Sequence, residues 1–130
     1  MIVVDTNILV YWVLPSPHSA VLAELVSADP FWKAPALWRS ELRNVLVGCM
    51  RRGEISLDRA YEGMQAAETR MGGGGEIVSS EAVLRLAAGC RCTAYDLEFV
   101  ALAQQLAVPL VTMDRELLAA FPDVARPLLG

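Results

Sequence analysis

Four acidic residues stand where chemistry accounts for a charge better than solubility does: Asp5, Glu41, Asp96 and Asp114. Asp5 and Asp114 lie just beyond two short apolar runs, Ile2-Val3-Val4 and Pro109-Leu110-Val111-Thr112. Glu41 falls four residues after Leu37 and four before Val45, on the apolar side of a helical pattern, where an unpaired carboxylate is costly. Asp96 enters a strongly apolar stretch. Each also has an ordinary reading: Asp5 and Asp114 as helix or turn caps, and Thr93-x-x-Asp96 as a capping box. Caps and ligands are compatible roles. Two carboxylates about 5 Å apart at an effective dielectric near 20 repel by roughly 3 kcal/mol. Four of them sharing one crevice therefore call for protons or a cation. With only oxygen donors, the matching ions are hard ones, Mg²⁺ or Mn²⁺, and the matching chemistry is phosphoryl transfer.

The surrounding pattern supplies elements that position such a cluster. Ile2–Val4 reads as a buried strand ended by Asp5-Thr6-Asn7. Ser16-Pro17 opens a helix with Val21, Leu22, Leu25 and Val26 on one face, and residues 31–34 form a second strand. A helix over 36–52 carries Glu41 and stops at Gly53; Ser56 caps another through Met71. Gly72-Gly73-Gly74-Gly75 reads as a flexible connection. A short strand over 76–78, helices over 80–88 and 93–106, a strand over 109–112 and a helix over 115–121 complete the chain. Strands alternating with helices predict a three-layer α/β/α sandwich around a mainly parallel sheet, in one domain over residues 1–130. In such sheets function gathers at the carboxyl ends of strands, where Asp5 and Asp114 lie.

Composition narrows the classes. The chain has 130 residues, 55% of them hydrophobic and 20% charged, with a net charge of −4. A mean hydropathy of +0.39 excludes intrinsic disorder. No apolar run approaches the roughly 20 residues of a membrane span, and no secretory leader is evident, so a soluble cytoplasmic protein is expected. Cys49, Cys90 and Cys92 read as reduced thiols, and with His18 as the single histidine they build no zinc site. The sequence pI of about 4.9 argues against a broadly basic nucleic-acid surface. All the basic residues except Lys33 are arginines, however, the side chain suited to bidentate phosphate contacts.

Val4-Asp5-Thr6-Asn7, Ser40-Glu41-Leu42, Tyr95-Asp96-Leu97 leading into Val100-Ala101-Leu102-Ala103, and Leu110-Val111-Thr112-Met113-Asp114 follow one another in an order that resembles the PIN-domain family. The spacing is similar in particular to VapC-type toxin ribonucleases. The resemblance implies a Rossmann-like fold and cleavage of single-stranded RNA with Mg²⁺ or Mn²⁺. Asp5, Glu41, Asp96 and Asp114 would form the acidic, metal-holding site, with Asp5 and Asp96 foremost. Thr6, Asn7 and Thr112 match the family's orienting positions, and a hydroxyl or amide donates to a carboxylate without adding charge. A cognate antitoxin and a homodimer are implied as well. Glu98 and Glu116 fall outside the pattern and read as a solvated acid and a helix-terminus charge.

Arg39 and Arg43 share a helical face beside Glu41, and Arg115 adjoins Asp114; the three are expected to hold RNA phosphates. Trp12, Phe31, Trp32, Trp38 and Met50 are candidates for an apolar strip that a partner helix covers. The competing reading is a catalytically silent PIN-like module that binds RNA or protein. A phosphatase or receiver using Asp5 as nucleophile would need a D-x-D pair and a catalytic lysine, and Lys33 lies in an expected strand.

Overall fold

The computed structural model describes residues 1–128. The chain starts with β1 (Ile2–Val4), three apolar residues that are all buried, and β1 takes the inner place of a four-stranded parallel sheet. In spatial order the sheet runs β2 (Trp32–Lys33), β1, β3 (Leu110–Val111), β4 (Ala125–Arg126). Every connection is a crossover, and seven helices supply them: α1 (Thr6–Val13), α2 (Ser19–Ala28), α3 (Trp38–Arg51), α4 (Leu57–Met71), α5 (Ser80–Ala87), α6 (Ala94–Leu106) and α7 (Arg115–Ala120). This is the expected α/β sandwich. The chain leaves β1 toward β2 on one side and meets β3 on the other, so the strand order reverses between β1 and β3. A crevice at the carboxyl ends of these two strands is where open α/β sheets bind ligands.

The core explains the helix placement. In α6, Leu97 and Phe99 through Ala103 are buried, so the helix is enclosed nearly all round, packed against β1, β3 and α5. Helices α1, α3 and α4 pack against one another, with Ile8, Leu9, Trp38, Leu42 and Leu46 buried among them. Among the described residues no helix is long and apolar enough to cross a membrane.

Several elements differ from the sequence expectation. Asp5-Thr6-Asn7 is not a turn: Asp5 is the N-cap of α1, its side chain accepting from the Thr6 N–H at 2.8 Å. The second helix starts at Ser19 rather than at Pro17, because Ser16 accepts from the His18 N–H and holds a preceding turn. The expected strand over 76–78 is reduced to one parallel bridge between Pro35 and Glu76, and Ile77 beside it is exposed. Strand β4 was not anticipated.

The glycine run is a fastener, not a flexible linker. Gly72, at φ 71°, closes α4 in the left-handed region, with Gly73 N–H returning to the Glu68 carbonyl at 3.1 Å. The Gly74 carbonyl accepts from the Trp38 indole at 3.1 Å. Gly75 lies against Ala36 so closely that a side chain would run into its backbone. Trp32 and Trp38 are core residues, so the expected apolar strip is not formed by them; Phe31 is exposed, and Trp12 and Met50 are half-buried.

Candidate active site

Register builds the centre of the site. Val4 pairs with Val111, which sets Asp5 and Thr112 side by side as the two strands end, tied by Asp5 N–H donating to the Val111 carbonyl at 3.0 Å. The Thr112 hydroxyl, fully buried, donates to Asp5 Oδ2 at 2.7 Å and accepts from the Asp114 N–H at 3.0 Å. Asn7 donates to the same Asp5 oxygen at 3.5 Å and accepts from the Met113 N–H at 3.4 Å. The Thr6 hydroxyl, one residue into α1, donates to Glu41 Oε1 at 2.7 Å across to α3. One hydrogen-bonded network thus joins Asp5, Thr6, Asn7, Glu41, Thr112 and Asp114.

Asp96 reaches the same place from α6. Thr93 caps that helix, accepting from the Asp96 N–H at 3.1 Å, and so fixes the residue in the first turn. No hydrogen bond links its carboxylate to the network, but its charge is felt there. Burial raises the Asp5 carboxyl above its ordinary range; the hydrogen bonds from Thr112 and Thr6 oppose this, while Asp96 and Asp114 add to it. Burial likewise raises Glu41, against the Thr6 hydrogen bond, and Asp5, Asp96 and Glu98 push it further. Asp96 is raised by burial, with Asp114 and Glu116 contributing. Asp5, Glu41 and Asp96 therefore act on one another, and Asp114 acts on Asp5 and Asp96.

Two acids treated as bystanders belong to this field. Glu98 is half-buried, burial raises its carboxyl, and its charge acts on Glu41. Glu116 acts on Asp96. Asp114 is the N-cap of α7, its Oδ1 accepting from the Glu116 and Leu117 N–H groups at 2.8 and 3.2 Å.

The arginines divide. Arg39 lies two residues before Glu41, so it projects to the far side of α3, where it stacks over Trp38, donates to the Gly73 carbonyl and pairs with Glu68 at 3.7 Å. It fastens the glycine run rather than flanking Glu41. Arg43 and Arg115 are exposed and take part in no ion pair among the described residues. The residues that do share the Glu41 face are Asn44 and Val45, three and four positions on. With Thr6, Asn7, Val10 and Tyr11 of α1 they line a groove of about 430 Å³. Helical spacing from Glu41 and from Asn7 was the signal for Asn44 and Tyr11, and it was readable once α1 was known to be a helix.

A PIN domain family profile matches residues 2–126. The chain belongs to the PIN domain family. Members of this family are generally nucleases. Among solved structures, the crystal structure of PAE2754 from Pyrobaculum aerophilum is similar to this PIN domain in fold, with a TM-score of 0.74 at 23% identity over 98% of this chain and 90% of that one. No curated protein matches the chain.

Whether this PIN domain suits a divalent cation is decided by its donors. They are all oxygen, and burial makes the ionised carboxylates of Asp5, Glu41 and Asp96 more costly. Among the described residues no three His, Cys, Asp or Glu side chains form a ready-made cage. Mg²⁺ does not require one: it keeps several waters and takes one or two carboxylates. The residues present fit such an ion. The orienting role of Thr112 is testable without activity. Thr112→Val keeps shape but removes a donor to Asp5 and an acceptor for the Asp114 N–H. Urea unfolding is expected to show a loss of about 1–3 kcal/mol; an unchanged midpoint would remove Thr112 from the network.

Proposed function

We propose that this PIN domain hydrolyses phosphodiester bonds of single-stranded RNA with Mg²⁺ or Mn²⁺, acting as the toxin of a toxin–antitoxin pair. The feature that supports the nuclease reading is the hydrogen-bonded network at the carboxyl ends of β1 and β3, in which Thr112 joins the Asp5 carboxylate to the Asp114 backbone and Thr6 joins α1 to the Glu41 carboxylate, with Asp96 of α6 near enough to raise the Asp5 and Glu41 carboxyls. Asp5 and Asp96 would hold the ion, with Glu41 and Asp114 completing the acidic ring. When bound, the ion supplies an activated water and neutralises charge developing on the phosphate. The protein's part is orientation: Thr6 and Thr112 hold the Glu41 and Asp5 carboxylates by short hydrogen bonds, and Asn7 fastens Asp5 to the Met113 backbone. Arg115, exposed beside Asp114, is available for a flanking phosphate; Arg43 is exposed too but, two positions from Glu41 as Arg39 is, projects away from it.

Cutting of a defined single-stranded RNA by the purified protein in Mn²⁺, stopped by chelation, is the expected result. No cutting with either ion would leave the second reading, a silent RNA- or protein-binding module. The antitoxin and homodimer parts of the proposal draw on the resemblance and on exposed apolar groups such as Leu57 and Tyr61, one turn apart on α4.

Electrostatic crowding gives a test independent of RNA. The folded state raises the Asp96 carboxyl, so this group contributes stability fully below its ordinary value of 3.8 and loses it as pH climbs through the folded value. At neutral pH, without metal, Asp96→Asn is therefore expected to melt about 2–4 °C above wild type. Mg²⁺ should raise the wild-type melting temperature and act less on the variant. A variant that melts lower, or a wild type indifferent to divalent ions, would count against a shared site.

A further inference from the structure

Building on the nuclease reading, we propose that the groove between α1 and α3 is a specificity subsite seating one nucleobase of the substrate strand, an amino-bearing base such as adenine being preferred over uracil, next to the bond that is cut. The groove opens from the acidic site itself: Thr6, Asn7 and Glu41 line both. A strand whose phosphodiester lies at the carboxylates brings its neighbouring nucleotide here. Glu41 is the single charged residue of the lining, so a phosphate is repelled and a neutral ring is not. Val10 and Val45 give apolar walls, and the half-buried Tyr11 gives an aromatic surface on which a base can stack.

Asn44 supplies the means to read that base. It stands three residues from Glu41 on the same face of α3, is exposed, and makes no side-chain hydrogen bond among the described residues. Asn7, by contrast, is committed to Asp5 and to the Met113 N–H. A free amide offers one acceptor beside one donor, the complement of an exocyclic amine and its adjacent ring nitrogen, as adenine presents at N6 and cytosine at N4. Glu41 adds a second acceptor: Oε1 takes the Thr6 hydroxyl, while Oε2 has no partner among the described residues. An exocyclic amine can satisfy both acceptors, whereas a uracil carbonyl in that place faces a carboxylate. The α5–α6 groove, lined by Val83, Leu84, Tyr95 and Glu98 among others, has none of the hydrogen-bonded network in its wall.

The test compares oligouridines with and without a single adenosine, cut in Mn²⁺. Wild type is expected to cut beside the adenosine about tenfold faster than within plain oligouridine. Asn44→Ala should bring that ratio close to one, and Asn44 is exposed enough for the variant to fold. Equal cutting of the two RNAs by wild type, or a preference untouched by Asn44→Ala, overturns the subsite and leaves the nuclease reading in place. A metal-free NMR titration with adenosine and with uridine separates the two ideas when no RNA is cut. A shift of the Asn44 side-chain amide with adenosine alone upholds the subsite although the nuclease reading fails. No shift overturns the subsite.

Discussion

Asp5→Asn is expected to reduce RNA cutting by about a thousandfold or more while leaving the protein folded. The change removes one charge and keeps the atoms that hold the backbone. Asn keeps a carbonyl oxygen to accept from the Thr6 N–H, and its new NH₂ group meets the Thr112 hydroxyl, which turns from donor to acceptor. The longer hydrogen bond from the Asn7 amide at 3.5 Å is given up, because two NH₂ groups then face each other. The cap of α1 and the β1–β3 junction survive. What is lost is the most buried of the four carboxylates, the one held by three hydrogen bonds and pressed by two other acids. The measurement is single-turnover cleavage of one labelled RNA by both proteins, with melting curves in EDTA alongside. Equal rates would dismiss Asp5 from the site; a variant that fails to melt cooperatively would show only that the charge was structural.

The same variant fixes the sign of the pH dependence. Burial raises the Asp5 carboxyl in the folded state, so the metal-free wild type loses stability as pH rises through that value, and Asp5→Asn removes the Asp5 share of this loss. Metal binding requires the ionised carboxylates, so the stabilisation by Mg²⁺ grows over the same pH range.

The four acidic residues were legible in the sequence, and the reason is local. Asp5, Asp96 and Asp114 each sit at an element boundary, where a cap and a site use the same side chain, and Glu41 breaks an apolar face. Other features were hidden for equally physical reasons. In α1, Ile8-Leu9-Val10-Tyr11-Trp12-Val13 is rich in β-branched and aromatic residues and partly or wholly buried on every side, so it shows no helical period. Strand β4 has two residues and exists only because Leu110 and Thr112 donate to the Val124 and Arg126 carbonyls. Arg39 illustrates a third kind of concealment. Its spacing to Arg43 was read correctly, but a residue two positions from Glu41 points away from it on a helix, and Gly73 and Glu68 were there to receive it.

The glycine run was the least legible part, and it carries the second large effect. Gly75→Val is expected to destabilise the protein by about 3 kcal/mol or more, or to prevent recovery of folded protein. A Cβ at 75 would collide with the Ala36 Cα and lie 3.0 Å from its nitrogen. The neighbours cannot yield cheaply, because Ala36 N–H donates to the Glu76 carbonyl at 3.0 Å and Glu76 N–H to the Ala34 carbonyl at 2.9 Å. Forcing these backbones apart also withdraws the Gly74 carbonyl from the indole of Trp38, a fully buried side chain in the first turn of α3. That helix carries Glu41, so the damage extends to the site: at temperatures where the variant is still folded, cutting should be slower than in wild type. Gly74→Ala is the control, since nothing lies within 4 Å of a side chain there, and it should cost less than about 0.5 kcal/mol. Equal, small effects of the two substitutions on the urea midpoint would mean that the run is a loose connection after all; a steep drop at 75 alone identifies it as the clasp that holds α3, and Glu41 with it, against the end of β2.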